Sequence, residues 1–292
     1  MKRKIKNILM VVLVGVFLFS LGKIVLILTE QYKENHTFEM LAKEVEDARE
    51  QSGGKENASD SKTPGNDNAT EYDGSVENTK EEEKGKSKLI PRNSMQTDEE
   101  TGILVPYLSL YERNQDLYGW ISIEGTKVNY PVMYTPKDPE YYLRRAFDGS
   151  DADCGTPFLD AACSEEGNLY VVYGHRMKNR TMFGTLPYYE KKEYWEEHPY
   201  ICFDTLYEQG TYEIVAAFYS KIYAEGESGF QYYDYKDLSS EEVFTAFQKG
   251  VEESALYETD ETLSFGDTVL LLSTCSYHTS EGRFVVVAKK IM

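Results

Sequence analysis

In the stretch TVLLLSTCSYHTSEGRFVVVAKK, residues 268–290, Cys275 closes one strand-like apolar run and Arg283 opens the next. The seven residues 276–282 return the chain, and in an antiparallel hairpin the last residue of one strand neighbours the first of the other. A thiol at such a strand end is reachable, and a guanidinium beside it can lower its pKa or stabilise an oxyanion during acyl transfer. Taken alone, the pair is better read as a buried strand cysteine and a surface cation.

A cysteine nucleophile also needs an imidazole, and the chain has four: His36, His175, His198 and His278. His36 lies on a polar N-terminal segment and His198 in the acidic run EEHPY, both expected to be solvated. His278 sits in the return loop, three residues from Cys275, with no assured geometry. His175 follows the apolar run LYVVYG, so a buried strand presents its ring at a strand end, as sheets commonly mount catalytic groups. His and Cys occur singly, with no CxxC, HxxxH or HExxH spacing, so neither a metal nor another cofactor is expected.

The elements that must position these residues are short. Residues 107–117 read as a helix, 139–145 as a helical turn, 183–195 as a helix and 239–256 as a helix opening on a serine cap and two glutamates. Strand patterns fall at residues 119–123, 127–133, 156–160, 169–173, 200–206, 210–223, 268–274 and 283–290. Eight short strands with few interspersed helices favour a mostly β barrel or closed sandwich over a parallel α/β sheet.

The N-terminal third is organised differently. Residues 1–7 carry four basic side chains as a cytoplasmic tail, and residues 8–28 form an apolar run interrupted only by Lys23. At ~1.5 Å per residue that run spans roughly 30 Å, enough to cross a bilayer, and the basic flank puts everything after it outside. A cleaved signal peptide is the rival, but no Ala-x-Ala-like site follows. Residues 29–50 have good helix formers and few apolar positions, which predicts a solvated helical stalk. Residues 51–90 are almost free of large apolar side chains and read as a disordered acidic and polar linker, leaving 91–292 as the extracellular catalytic domain. The formal charge of −19 argues against a nucleic-acid partner. Cys154, Cys163, Cys202 and Cys275 match no disulfide framework, and all four are expected to be reduced.

The string LLSTC at 271–275 followed by Arg283 resembles the TLSTC and downstream arginine of sortases, the membrane-anchored cysteine transpeptidases of Gram-positive bacteria. The resemblance extends through LYGWISI (117–123), NYPVM (129–133), TPFLD (156–160), YGHRM (173–177) and MFGTL (182–186), covering nearly all of residues 105–292. The class most resembled is class B, which implies a closed eight-stranded barrel with N-terminal helices and a helix inserted between strands six and seven. Leu271 stands where the family usually has Thr, and Arg176 where Asn commonly follows the histidine.

This resemblance implies that Cys275 attacks the carbonyl of a C-terminal sorting signal on a secreted protein, giving a thioacyl enzyme released by a peptidoglycan-precursor amine. The active form would be thiolate with imidazolium. His175 would be the general acid and then base, and Arg283 would hold substrate and oxyanion. Ser273 and Thr274 line the same strand end, for substrate contact or for ordinary strand packing. A membrane-bound monomer is expected. Pilin polymerisation, hydrolysis by a cysteine protease and a non-catalytic surface-binding module remain alternatives.

Overall fold

The computed structural model describes residues 2–53, 87–89, 92–163 and 167–292. Most of the linker expected at 51–90 lies outside the described residues. Strands β1 (Leu117–Ser122), β2 (Asn129–Met133), β3 (Phe158–Leu159), β4 (Leu169–Tyr173), β5 (Tyr200–Thr205), β6 (Thr211–Lys221), β7 (Val269–Cys275) and β8 (Gly282–Lys290) close into a barrel. Their order around it is β1-β2-β3-β4-β7-β8-β6-β5. The β2–β3 and β4–β7 pairs are parallel and the remainder antiparallel.

Side chains alternate across a strand, yet β4, β7 and β8 are apolar on both faces because other elements cover the outside. The barrel interior is filled by side chains such as Phe203, Leu272, Phe284 and Val286, while Trp120 and Phe218 lie on its outer face, packed on Tyr107 and Tyr232; all are essentially inaccessible and belong to one hydrophobic core. Leu271, the departure from the family's threonine, is fully buried between Val171 and Val287 and suits that core. Gly119 has a packing reason: a Cβ there would lie 2.0 Å from the Asp204 carbonyl oxygen on β5. Strand β6 bulges between Ile214 and Ala216, and the carbonyl of Val215 accepts from the Thr259 hydroxyl at 2.8 Å.

Four α-helices surround the barrel: α1 (Lys2–Gly53), α2 (Val105–Arg113), α3 (Lys192–Glu197) and α4 (Glu241–Ser254). Helix α4 falls between β6 and β7 and buries Phe244, Phe247 and Val251 at helical spacing. Its first turn carries Glu241 and Glu242, but Ser240 at the cap position makes no side-chain cap bond, and Ser239 bonds Asp237 instead. The helix expected over 183–195 is two pieces, a 3₁₀ turn at Leu186–Glu190 and α3, because Lys191 between them is extended.

Helix α1 differs most from expectation. Its apolar half is exposed from Leu13 to Leu28, and it is long and apolar enough to cross a membrane or to serve as a signal sequence. Its second half is no solvated stalk: Phe38, Leu41 and Val45 are buried in the same core as the barrel. These residues recur at i, i+3 and i+7, one face of a helix, which three apolar side chains among many charges concealed.

Candidate active site

The parallel β4–β7 ladder pairs Tyr173 with Ser273, and the Gly174 amide continues it by donating to the Ser273 carbonyl at 3.1 Å. Two residues beyond that pair, each strand reaches its expected reactive group, His175 on one and Cys275 on the other. Adjacent strands lie about 4.8 Å apart, so the register brings imidazole and thiol to one end of the barrel. On the other side of β7, Cys275 is directly opposite Arg283 in the antiparallel β7–β8 register. One cysteine thus has the histidine strand on one flank and the arginine strand on the other, and all three residues are half-buried.

The imidazole is oriented from a distance in sequence. His175 Nε2 lies 2.7 Å from the carbonyl oxygen of Leu143, in the 3₁₀ turn Tyr141–Arg144. With that contact a hydrogen bond, Nε2 carries the proton shared with the Leu143 carbonyl, and Nδ1 is the other ring nitrogen. The His175 carbonyl accepts from the Phe183 amide at 3.0 Å, and a Cβ at Gly174 would lie 2.7 Å from the Phe183 ring, so the backbone turns tightly there. No sequence motif marks a carbonyl as a histidine's partner, and Leu143 was not foreseen.

Arg176 does not take up the histidine. Its guanidinium stacks 5.0 Å from the ring centroid of Tyr277, in the loop between β7 and β8. The Arg283 guanidinium donates to the carbonyls of Gly282 (3.1 Å) and Glu281 (3.3 Å), with the Glu281 carboxylate 4.0 Å away and largely solvated. Glu281 adopts φ 54°, so the turn into β8 is tight and the arginine is held chiefly by loop backbone. An always-charged planar fork held this way retains donors for a developing oxyanion.

Ser273 and Thr274 are 1 % and 2 % exposed. The Ser273 hydroxyl pairs with the buried Tyr232 hydroxyl at 2.7 Å, and Thr274 Oγ1 donates to the Gly174 carbonyl at 2.7 Å. Both hydroxyls are engaged within the strand end, which is what the strand-packing alternative for these two residues expects. Burial pushes the Tyr232 phenol up to about 12, while its bond to Ser273 and the Arg283 charge pull the other way. Tyr232, from the segment between β6 and α4, is a support that sequence alone did not reveal.

The other histidines stand elsewhere. His278 Nδ1 meets the Ser276 hydroxyl at 3.0 Å and its ring packs on Tyr219. His198 is half-buried: its ring packs at a tilt against Tyr194, and Nδ1 lies 2.9 Å from the Glu124 carbonyl. All four cysteines are free. Burial is the main reason the thiols of Cys154, Cys163 and Cys202 are raised, Cys163 to about 12.

The Sortase domain family model matches residues 121–291. Sortase B of Staphylococcus aureus (strain NCTC 8325 / PS 47) is 29% identical over 188 residues, 63% of this chain and 73% of that protein. The crystal structure of sortase B from B. anthracis in complex with AAEK1 superposes with a TM-score of 0.58 at 32% identity, covering 68% of this chain and 89% of that one. A Staphylococcus aureus sortase B-substrate complex gives 0.57 at 28% identity over 64% and 84%. With barrel, inserted helix α4 and family match in agreement over most of the folded part, this chain belongs to the sortase family of cysteine transpeptidases, as a class B member.

Proposed function

We propose that Cys275, His175 and Arg283 carry the transpeptidation, and that the protein is a membrane-anchored enzyme acting on sorting signals of secreted proteins. The observation that supports this most is the double register at β7, with His175 beyond the parallel pair Tyr173–Ser273 and Arg283 opposite Cys275. That a Staphylococcus aureus relative has been captured as a sortase B-substrate complex supports a sorting-signal substrate for this chain as well.

In the proposed cycle the Cys275 thiolate attacks the carbonyl carbon of the scissile peptide, and Arg283 donates to the oxygen that becomes negative. As the C–N bond breaks, protonated His175 gives its proton to the departing amine and the thioester forms. An incoming amine of a cell-wall precursor then loses a proton to His175 as it attacks the thioester, and the thiolate leaves. The Leu143 carbonyl holds the ring so that one nitrogen serves both transfers. A pilus subunit's amine would follow the same chemistry, and water in its place would give hydrolysis.

Cys275→Ala in the full chain is expected to abolish formation of the thioacyl adduct, detected by mass spectrometry with a sorting-signal peptide. His175→Ala should reduce turnover at least ~100-fold by removing the acid and base. Arg283→Lys keeps the charge without the fork and should lower kcat by ~10-fold or more. If the alanine variant at position 275 still transfers the peptide to an added amine, the assignment is wrong. An amine that leaves the product distribution unchanged would point to a hydrolase instead.

A further inference from the structure

The buried carboxylate of Asp204 at the end of β5 gathers groups from both sides of the undescribed stretch 54–86. Arg49, near the end of α1, donates from Nη2 to Asp204 Oδ2 at 3.2 Å. Arg92, on the far side of that stretch, makes a two-pronged contact, Nη1 to Oδ1 at 2.6 Å and Nη2 to Oδ2 at 2.5 Å. The Tyr107 hydroxyl from α2 and the Gly210 amide complete the set at 2.5 and 3.1 Å. Arg49 and Arg92, one on each side of that stretch, thus meet at a single carboxylate whose side chain is 1% exposed, and the Ser87 amide already donates to the Glu196 carbonyl of α3 at 2.7 Å.

The rest of the α1 contact runs back toward the apolar half. Val45, Leu41 and Phe38 are buried, and Phe38 meets Tyr130 of β2 edge-on with ring centroids 5.6 Å apart. Glu44 accepts from Ser109 and Arg113 of α2, each at 2.7 Å. Glu34 accepts from the Asp153 amide at 2.9 Å, only six residues beyond Leu28, the last residue of the apolar run. At ~1.5 Å per helical residue, barrel contact begins about 9 Å beyond that run, whereas a forty-residue random coil would allow a reach of about 35 Å.

We propose that α1 and the barrel are one latched body, so that the anchor is joined to the enzyme through the packed half of α1 itself. The consequence rests on reading the apolar half of α1 as a membrane anchor. The proposed catalytic residues are then carried at one fixed height and tilt close to the lipid headgroups, so substrates must be met there.

The test inserts a site-specific protease sequence between Asn68 and Ala69 in the full chain, with an affinity tag at the N-terminus. After cutting in detergent, the N-terminal fragment and the barrel fragment are expected to leave a size-exclusion column together, with a Val45→Asp version separating once cut. Separation of the cut wild-type fragments overturns the latch, as would co-elution that Val45→Asp leaves intact. Alkaline carbonate washing of membranes bearing the uncut chain tests the anchor independently. If the uncut chain washes off, the anchor reading fails and the height with it, while co-elution still decides the latch.

Discussion

At the scale of single residues, the strand end that carries Cys275 rests on buried hydroxyls. Tyr232 and Ser273 share a buried bond, and removing one hydroxyl leaves the other without its partner inside the fold. Tyr232→Phe is therefore expected to cost about 1–3 kcal/mol in denaturant unfolding, and Ser273→Ala a similar amount. If the Ser273 side chain acted only through strand packing, Ser273→Ala would leave the KM for the peptide close to wild type, which steady-state kinetics reads. The thiols offer a second check. Burial raises Cys154, Cys163 and Cys202, which keeps them protonated at neutral pH, so one equivalent of alkylating reagent should modify Cys275 first and the Cys275→Ala protein should resist. Peptide mass mapping after brief labelling at pH 7.5 decides this. The proposed triad was legible because each member sits beside a strong strand signal: LYVVYG before His175, VLLLST before Cys275 and FVVVA after Arg283. The Leu143 carbonyl and the Tyr232 hydroxyl were not, since a backbone atom and one tyrosine among 24 carry no local signature.

At the scale of elements, period and length decided what could be read. Strands β4, β7 and β8 carry continuous apolar runs of Val, Leu, Tyr and Phe, and their positions follow from pattern alone. Residues 183–195 promised one helix, but Tyr189 and Trp195 are both buried, and extended Lys191 breaks the helix between them. Helix α1 failed the reading for the opposite reason: Phe38, Leu41 and Val45 are three apolar side chains diluted in a charged sequence, and the pairing of Arg49 with Asp204 spans 155 residues. Its energetics are testable. Losing both Arg49 and Arg92 would leave the Asp204 carboxylate buried with only the Tyr107 hydroxyl and the Gly210 amide. The double change Arg49→Ala with Arg92→Ala is expected to cost about 3–5 kcal/mol, against roughly 3 kcal/mol for Phe38→Ala. Chemical denaturation of the full chain in detergent measures both, and a double variant within ~0.5 kcal/mol of wild type would show that the carboxylate is not a latch.

At the scale of the whole molecule, the chain's tyrosines set an upper pH limit on the fold. Tyr130 and Tyr232 are 6% and 0% exposed, and burial raises each to about 12; Tyr107, Tyr118, Tyr173, Tyr189 and Tyr212 are raised further by the same cause. Below pH ~10 these phenols are protonated in folded and unfolded chains alike, so they add no pH dependence. Above it the unfolded chain releases protons that the folded chain keeps. The unfolded state then binds fewer protons, and stability falls as pH rises. Each buried phenol contributes a loss of about 1.4 kcal/mol per pH unit until its folded pKa is reached. Seven such groups acting together exceed a typical domain stability of roughly 5–15 kcal/mol within one to two pH units. The barrel is therefore expected to unfold cooperatively between about pH 10.5 and 12. Phenolate absorbance near 295 nm should rise for exposed tyrosines first and then step for the buried set at the pH where near-ultraviolet circular dichroism collapses. Smooth titration of all 24 tyrosines with the dichroism intact would mean that the phenols reach solvent without unfolding, and that the barrel interior is not the closed core described here.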